Sequence, residues 1–163
     1  MTDITPMDGT LQRQHILRKI HLDVIWRALR GYYVIWPSGG GAVTQRAADA
    51  NMSVDVAAVN FVFNGTYAQI ATDPTNVAID AADPANARID VIYISDSTTI
   101  SVAKGTAASV VPVGESTWQK WETPYPVDMY GTDGVILAEV RVAAGATSIT
   151  NADIRMLGLP VIF

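Results

Sequence analysis

The chain has 163 residues, 49% of them hydrophobic and 17% charged, with a mean hydropathy of +0.20. That is one domain's worth of material with enough apolar content for a core of its own, and the low charge density excludes a disordered chain. The absence of cysteine excludes disulfide scaffolds, thiolate zinc sites and cysteine nucleophiles. The formal net charge is −5, unevenly placed. Residues 1–31 carry five bases against three acids, whereas the remainder carries six bases against thirteen acids. An acidic body argues against nucleic acid, whose phosphates need a basic surface. No uncharged apolar run reaches the length of a membrane span, so no membrane partner is expected. The opening segment, Met1 to Gly9, lacks the basic start and apolar stretch of a secretory signal, and the product is expected to stay in the compartment where it is made.

Residues 10–30 read as a helix. Thr10 is placed as its N-cap, basic residues crowd its last turn, and Gly31 occupies the C′ position where glycine ends helices. At about 100° per residue two apolar stripes emerge. Leu11, Leu22, Ile25, Trp26 and Leu29 form one, and Leu17, Ile20 and Val24, with Ile16 at its edge, form the other. A helix on the surface of a monomer needs one apolar face, so two suggest packing by its own body on one side and by another chain on the other. The alternative is a helix buried deep in its own domain.

After Gly31 the pattern shifts to short strands. Tyr32–Trp36 is an apolar run stopped by Pro37-Ser38-Gly39-Gly40-Gly41. The triple glycine lacks the Lys-Ser/Thr of a P-loop and the spacing of a dinucleotide fingerprint, so it reads as a joint. Met52–Phe63 and Thr66–Ile70 flank Asn64-Gly65, the strongest short hairpin signal, because a type I′ turn needs positive φ at both central residues. Further strands are expected at Val77–Ile79, Arg88–Ile94, Thr99–Ala103 and Gly134–Val142, separated by turns at Asp73-Pro74, Asp83-Pro84 and Gly145. Residues 106–130, with Trp118, Trp121, Tyr125 and three prolines, read as an ordered excursion. The fold class is therefore mainly β: an antiparallel β-sandwich or small barrel preceded by one N-terminal α-helix. The division is an arm and helix over 1–31 for docking and oligomerisation, a Gly-rich connection over 32–51, and a β-sandwich body over 52–163.

Chemistry-bearing constellations are sparse. His15 and His21 stand six apart on the helix, about 240° around it, and cannot share a metal from one face. Asp80, Asp83 and Asp90 lack calcium-loop spacing and read first as turn aspartates. Glu115, Glu122 and Asp128 lie near Trp118, Trp121 and Tyr125, a combination that suits either a carbohydrate surface or the anchoring of the excursion to the core. Asn51-Met52-Ser53 and Asn64-Gly65-Thr66 match glycosylation acceptors but lack a secretory context. No catalytic residue, metal ligand or cofactor is assigned, and the chain reads as a non-enzyme.

Four blocks in order resemble a module of baseplate and tail-fibre proteins of tailed bacteriophages. They are Val54-Asp55-Val56 through Phe63-Asn64-Gly65, then Asn86-Ala87-Arg88-Ile89-Asp90-Val91-Ile92-Tyr93-Ile94, then Val102-Ala103-Lys104-Gly105-Thr106-Ala107-Ala108, then Leu137 to Arg155 with its Ala-Gly-Ala-Thr-Ser-Ile-Thr-Asn-Ala-Asp-Ile-Arg close. The blocks read as strand, turn and cap chemistry: Thr150 caps a short turn with Asp153 and Ile154 packing back, and Arg88 pairs with an inward carboxylate. The resemblance is thus to a scaffold and carries no catalytic residue. It implies a virion structural protein made in the host cytoplasm, a tail, baseplate or fibre-attachment component with other virion proteins as partners, assembling as a homo-oligomer with a trimer favoured. A capsid decoration or head-fibre protein is the alternative, and a carbohydrate-binding receptor module using Trp118, Trp121 and Tyr125 a further one.

Two features depart from the module. The excursion is longer and carries Trp118-Gln119-Lys120-Trp121 in place of a Pro-rich segment, and the sequence stops eight residues after Asp-Ile-Arg, where fibre proteins continue into a stalk. The apolar tail, with Leu157, Leu159, Val161, Ile162 and Phe163, reads either as a core strand or as a segment covered by another subunit. The expected subunit-contact residues are Leu11, Leu17, Ile20, Leu22, Val24, Ile25, Trp26, Leu29, Leu159, Ile162 and Phe163.

Overall fold

The structure is a computed structural model that describes residues 25–34, 40–108 and 132–157. It is mainly β, with three antiparallel sheets in a sandwich-like arrangement that does not close into a barrel, and one short helix before them. Among the described residues ten strands follow in chain order: β1 (Tyr33–Val34), β2 (Val43–Gln45), β3 (Ser53–Val56), β4 (Val59–Phe63), β5 (Thr66–Ile70), β6 (Thr75–Ala78), β7 (Arg88–Ile94), β8 (Ile100–Ala103), β9 (Val135–Val142) and β10 (Ile154–Met156). The sheets run β1-β4-β5, β10-β9-β7-β8 and β2-β3-β6.

The Asn64-Gly65 turn forms as its residues dictate. Phe63 pairs with Thr66, and both turn residues take positive φ, 50° at Asn64 and 76° at Gly65. The run expected as one strand over Met52–Phe63 is two, since the chain passes through Ala57 and Ala58 from the β2-β3-β6 sheet to the β1-β4-β5 sheet. Its valines fill the core from both, with Val54, Val56, Val59 and Phe61 at most 1% exposed. The segment expected as a Gly-rich connection carries β1 and β2 and lends Tyr32 and Val43 to the core. A triple glycine marks where the chain bends, yet it says nothing about whether the flanking apolar residues pack.

The β7–β9 pair is the centre of the molecule. Nearly every residue of both strands is buried, so neither shows a polar face. Ile92 and Ile94 of β7 and Val140 and Val142 of β9 join the main core with Val54, Phe61, Val77 and Ile149. Val91 and Ile136 form a second, smaller cluster with Tyr93, Ala103 and Leu157 packed against it. A β-bulge between Ile92 and Tyr93 shifts the register: Ile92 opposes Ala138 while Tyr93 opposes Ile136.

Candidate functional site

Residues 25–29 are helical, and the helix ends where the sequence places its stop. Gly31 adopts φ 85°, its N–H donates to the Ala28 carbonyl at 3.0 Å, and the Tyr32 N–H donates to the Arg27 carbonyl at 2.9 Å. These are the two bonds of a Schellman motif. The terminus is pinned to the body by the β4–β5 hairpin, whose Gly65 N–H donates to the Gly31 carbonyl at 3.1 Å.

This last turn faces the body with a charged residue and presents its apolar residues to solvent. Arg27 is 6% exposed. Its guanidinium donates to the backbone carbonyls of Thr132 at 2.5 Å and Gly134 at 3.0 Å, just before β9. A guanidinium has five donors, so hydrogen bonds to inward-facing carbonyls offset the cost of burying it. Arg30 lies at the edge, 3.5 Å from the Asp133 carboxylate and 5.4 Å from the centre of the Trp26 ring. On the opposite side Ile25, Trp26 and Leu29 are 45%, 59% and 82% exposed. At 100° per residue these three span one stripe, with Arg27 roughly opposite its centre. They are the described members of the stripe containing Leu11 and Leu22, and the described residues of the body do not cover them.

The remaining expected contact residues, Leu11, Leu17, Ile20, Leu22, Val24, Leu159, Ile162 and Phe163, lie outside the described residues, as do Trp118, Trp121, Tyr125, His15 and His21. The three aspartates considered for a cation are each engaged elsewhere. Asp80 accepts from Lys104 Nζ at 2.8 Å, and that bond holds its carboxyl below the ordinary carboxylate value. Asp83 closes an Asx turn by accepting from the N–H groups of Ala85 at 2.8 Å and Asn86 at 2.7 Å, which lower it in the same way. Asp90 is fully buried and accepts from Arg88 Nε at 3.0 Å and from the Gly105 N–H at 2.8 Å. Among the described residues no group of three His, Cys, Asp or Glu side chains is placed to hold a metal ion, and no helix is long and apolar enough to cross a membrane.

The blocks quoted for the phage resemblance occupy structural positions. Arg88 and Asp90, two apart on β7 and therefore on one face, form a buried ion pair, and the guanidinium also donates to the carbonyls of Ala81 at 2.8 Å and Asp80 at 2.6 Å. One side chain thereby ties the 80–83 turn to the central sheet. Thr150 and Asp153 form a capping box, with Thr150 N–H and Oγ1 both donating to Asp153 Oδ2, at 3.1 and 2.6 Å. A second buried carboxylate, Glu139 on β9, accepts from Arg155 Nε at 2.8 Å directly across the β9–β10 ladder.

Sequence reasoning missed two features. Arg27 lies on the side of the helix taken by the second apolar stripe, so its inward role had no local signal. The reciprocal pair in which Gln45 N–H donates to Asn151 Oδ1 and Asn151 N–H donates to Gln45 Oε1 had no local signal, because 106 residues separate the partners.

No family model matches the chain, and no curated protein or solved structure shows significant similarity to it.

Proposed function

We propose that this chain is a non-enzymatic structural component of a tailed-phage virion, a tail, baseplate or fibre-attachment protein that assembles through apolar contacts made by its N-terminal helix. The observation that carries the assembly role is the inverted last turn of that helix, with Arg27 turned to the body and Ile25, Trp26 and Leu29 turned out. Exposed apolar side chains grouped on one helix face mark contact surfaces. The virion setting rests on the order of the four sequence blocks. Their best-defined polar residues, Arg88, Asp90, Thr150 and Asp153, hold turns and strands together, which suits a scaffold.

A homotrimer with other virion proteins as partners is the assembly this reading implies. Light scattering on the full chain tests it. The expected mass is three times the 17.5 kDa protomer, falling to one protomer in Trp26→Asp/Leu29→Asp. A monomer in both proteins, or an oligomer indifferent to the double substitution, overturns the docking role of the helix.

A further inference from the structure

We propose that the outer edge of β5 is a self-association site, at which two copies of this chain pair β5 against β5, antiparallel, across a two-fold axis at Ala68. Unpaired strand edges are templates for another strand, and proteins cover or blunt them. Among the described residues the other edges are attended to. Along β2, the Val43 N–H donates to Met156 Sδ at 3.4 Å and the Gln45 N–H to Asn151 Oδ1 at 2.8 Å, with β10 packed alongside. β6 and β8, the outer strands of their sheets, pack against each other, and β1 spans only two residues.

Among the described residues β5 has no such cover. It bonds to β4 on one side, and its five residues have no hydrogen-bond partner on the other. Because Phe63 and Thr66 close a two-residue turn, Thr66, Ala68 and Ile70 direct their backbone groups to β4. Tyr67 and Gln69 therefore direct theirs outward, and both residues are exposed.

The occupant follows from symmetry and charge. Tyr67 and Gln69 flank Ala68 evenly, so an antiparallel second copy sets Tyr67 opposite Gln69 twice, exchanging about four N–H···O bonds. No charged residue occurs from Val56 to Thr72 in a chain of net charge −5, so this stretch is where two copies approach without meeting like charges. The strand has no proline, bulge or lysine to deter pairing. The contact involves different atoms from the helix stripe. Its footprint falls below the about 1,000 Å² of stable interfaces, so pairing is expected at micromolar to millimolar concentration.

The test uses the full chain at concentrations up to about 1 mM. Sedimentation at the lowest concentration where wild type pairs is expected to show it at about twice the mass of Gln69→Pro, whose missing N–H removes two of the four bonds and weakens pairing about thirtyfold. Proline is tolerated at an edge position whose N–H faces solvent. Tyr67→Lys/Gln69→Lys, which keeps every backbone donor and adds four positive charges around the axis, is expected to give the same halved mass if Gln69→Pro does not fold. Amide hydrogen exchange gives a second readout: Tyr67 and Gln69 slow with rising concentration, while Ala68 and Ile70 are protected throughout. Equal masses for wild type and the folded variants, or Tyr67 and Gln69 exchange rates independent of concentration, overturn the proposal. The twofold mass ratio and the Tyr67 and Gln69 exchange behaviour are expected to persist in Trp26→Asp/Leu29→Asp, which separates this contact from the helix contact.

Discussion

Removing Arg88 while leaving Asp90 in place is expected to destabilise the fold more than any surface change. Both side chains are at most 2% exposed, and Asp90 depends on Arg88 for its counter-charge and on Gly105 for one further hydrogen bond. Arg88→Met keeps the aliphatic stem and strands the carboxylate in the interior, a change that costs about 3–5 kcal/mol. The carbonyls of Asp80 and Ala81 also lose their donors, but both residues are exposed and water replaces them. At 2–4 °C per kcal/mol for a chain of this size, the melting midpoint is expected to fall by roughly 6–20 °C. Asp90→Asn is expected to cost less, about 1–3 kcal/mol, because the amide oxygen still accepts from Gly105 and the guanidinium keeps its two carbonyls. Arg88→Met/Asp90→Leu removes both charges and is expected to recover at least about 2 kcal/mol relative to the sum of the singles. Urea unfolding followed by circular dichroism measures all of these. An Arg88→Met protein within about 1 kcal/mol of wild type, or single effects that simply add in the double variant, would refute the reasoning that the carboxylate depends on its partner.

Three further expectations are open to the same assays. Arg155→Ala, which takes a half-buried partner from the fully buried Glu139 carboxylate, is expected to cost about 1–3 kcal/mol, less than Arg88→Met; an equal or larger loss would invert the ranking by burial. Gly65→Ala meets only the strain of a left-handed conformation, about 1 kcal/mol, since no atom lies within 4 Å of the added Cβ. At Gly31 the added Cβ would lie 2.5 Å from the Gly65 backbone nitrogen as well as at φ 85°, so Gly31→Ala is expected to lower the midpoint further, and parity between the two would argue against that close approach. Finally, the Lys104 bond to Asp80, the Ala85 and Asn86 N–H bonds to Asp83 and the Thr98 N–H bond to Asp96 all depress folded-state carboxyl values below 3.8. Their contribution is complete above the unfolded value and is lost as the pH falls through the folded one, so stability drops only on the acid side of about pH 4. Asp83→Asn is expected to flatten that slope, and an unchanged slope would remove Asp83 from the account.

Much of this architecture was legible in the residues. Asn64-Gly65 specified its turn, Gly31 its helix stop and the Thr150–Asp153 pair its cap, because each is a short-range bond or dihedral that a few neighbouring residues decide alone. The alternating and continuous apolar runs likewise dictated a mainly β chain, and Arg88 announced a need for an inward carboxylate. Only the tertiary structure decided that this carboxylate is Asp90 on the same strand face, that Met52–Phe63 divides between two sheets, and that Gln45 meets Asn151. It also decided which side of the helix is inward, by setting the Thr132 and Gly134 carbonyls under Arg27, and which strand edge stays open among the described residues, by folding β10 beside β2 and placing nothing beside β5. The reason is one of range: turns and caps are settled within about six residues, whereas burial and edge cover depend on which distant segments arrive, and periodicity does not encode their meeting.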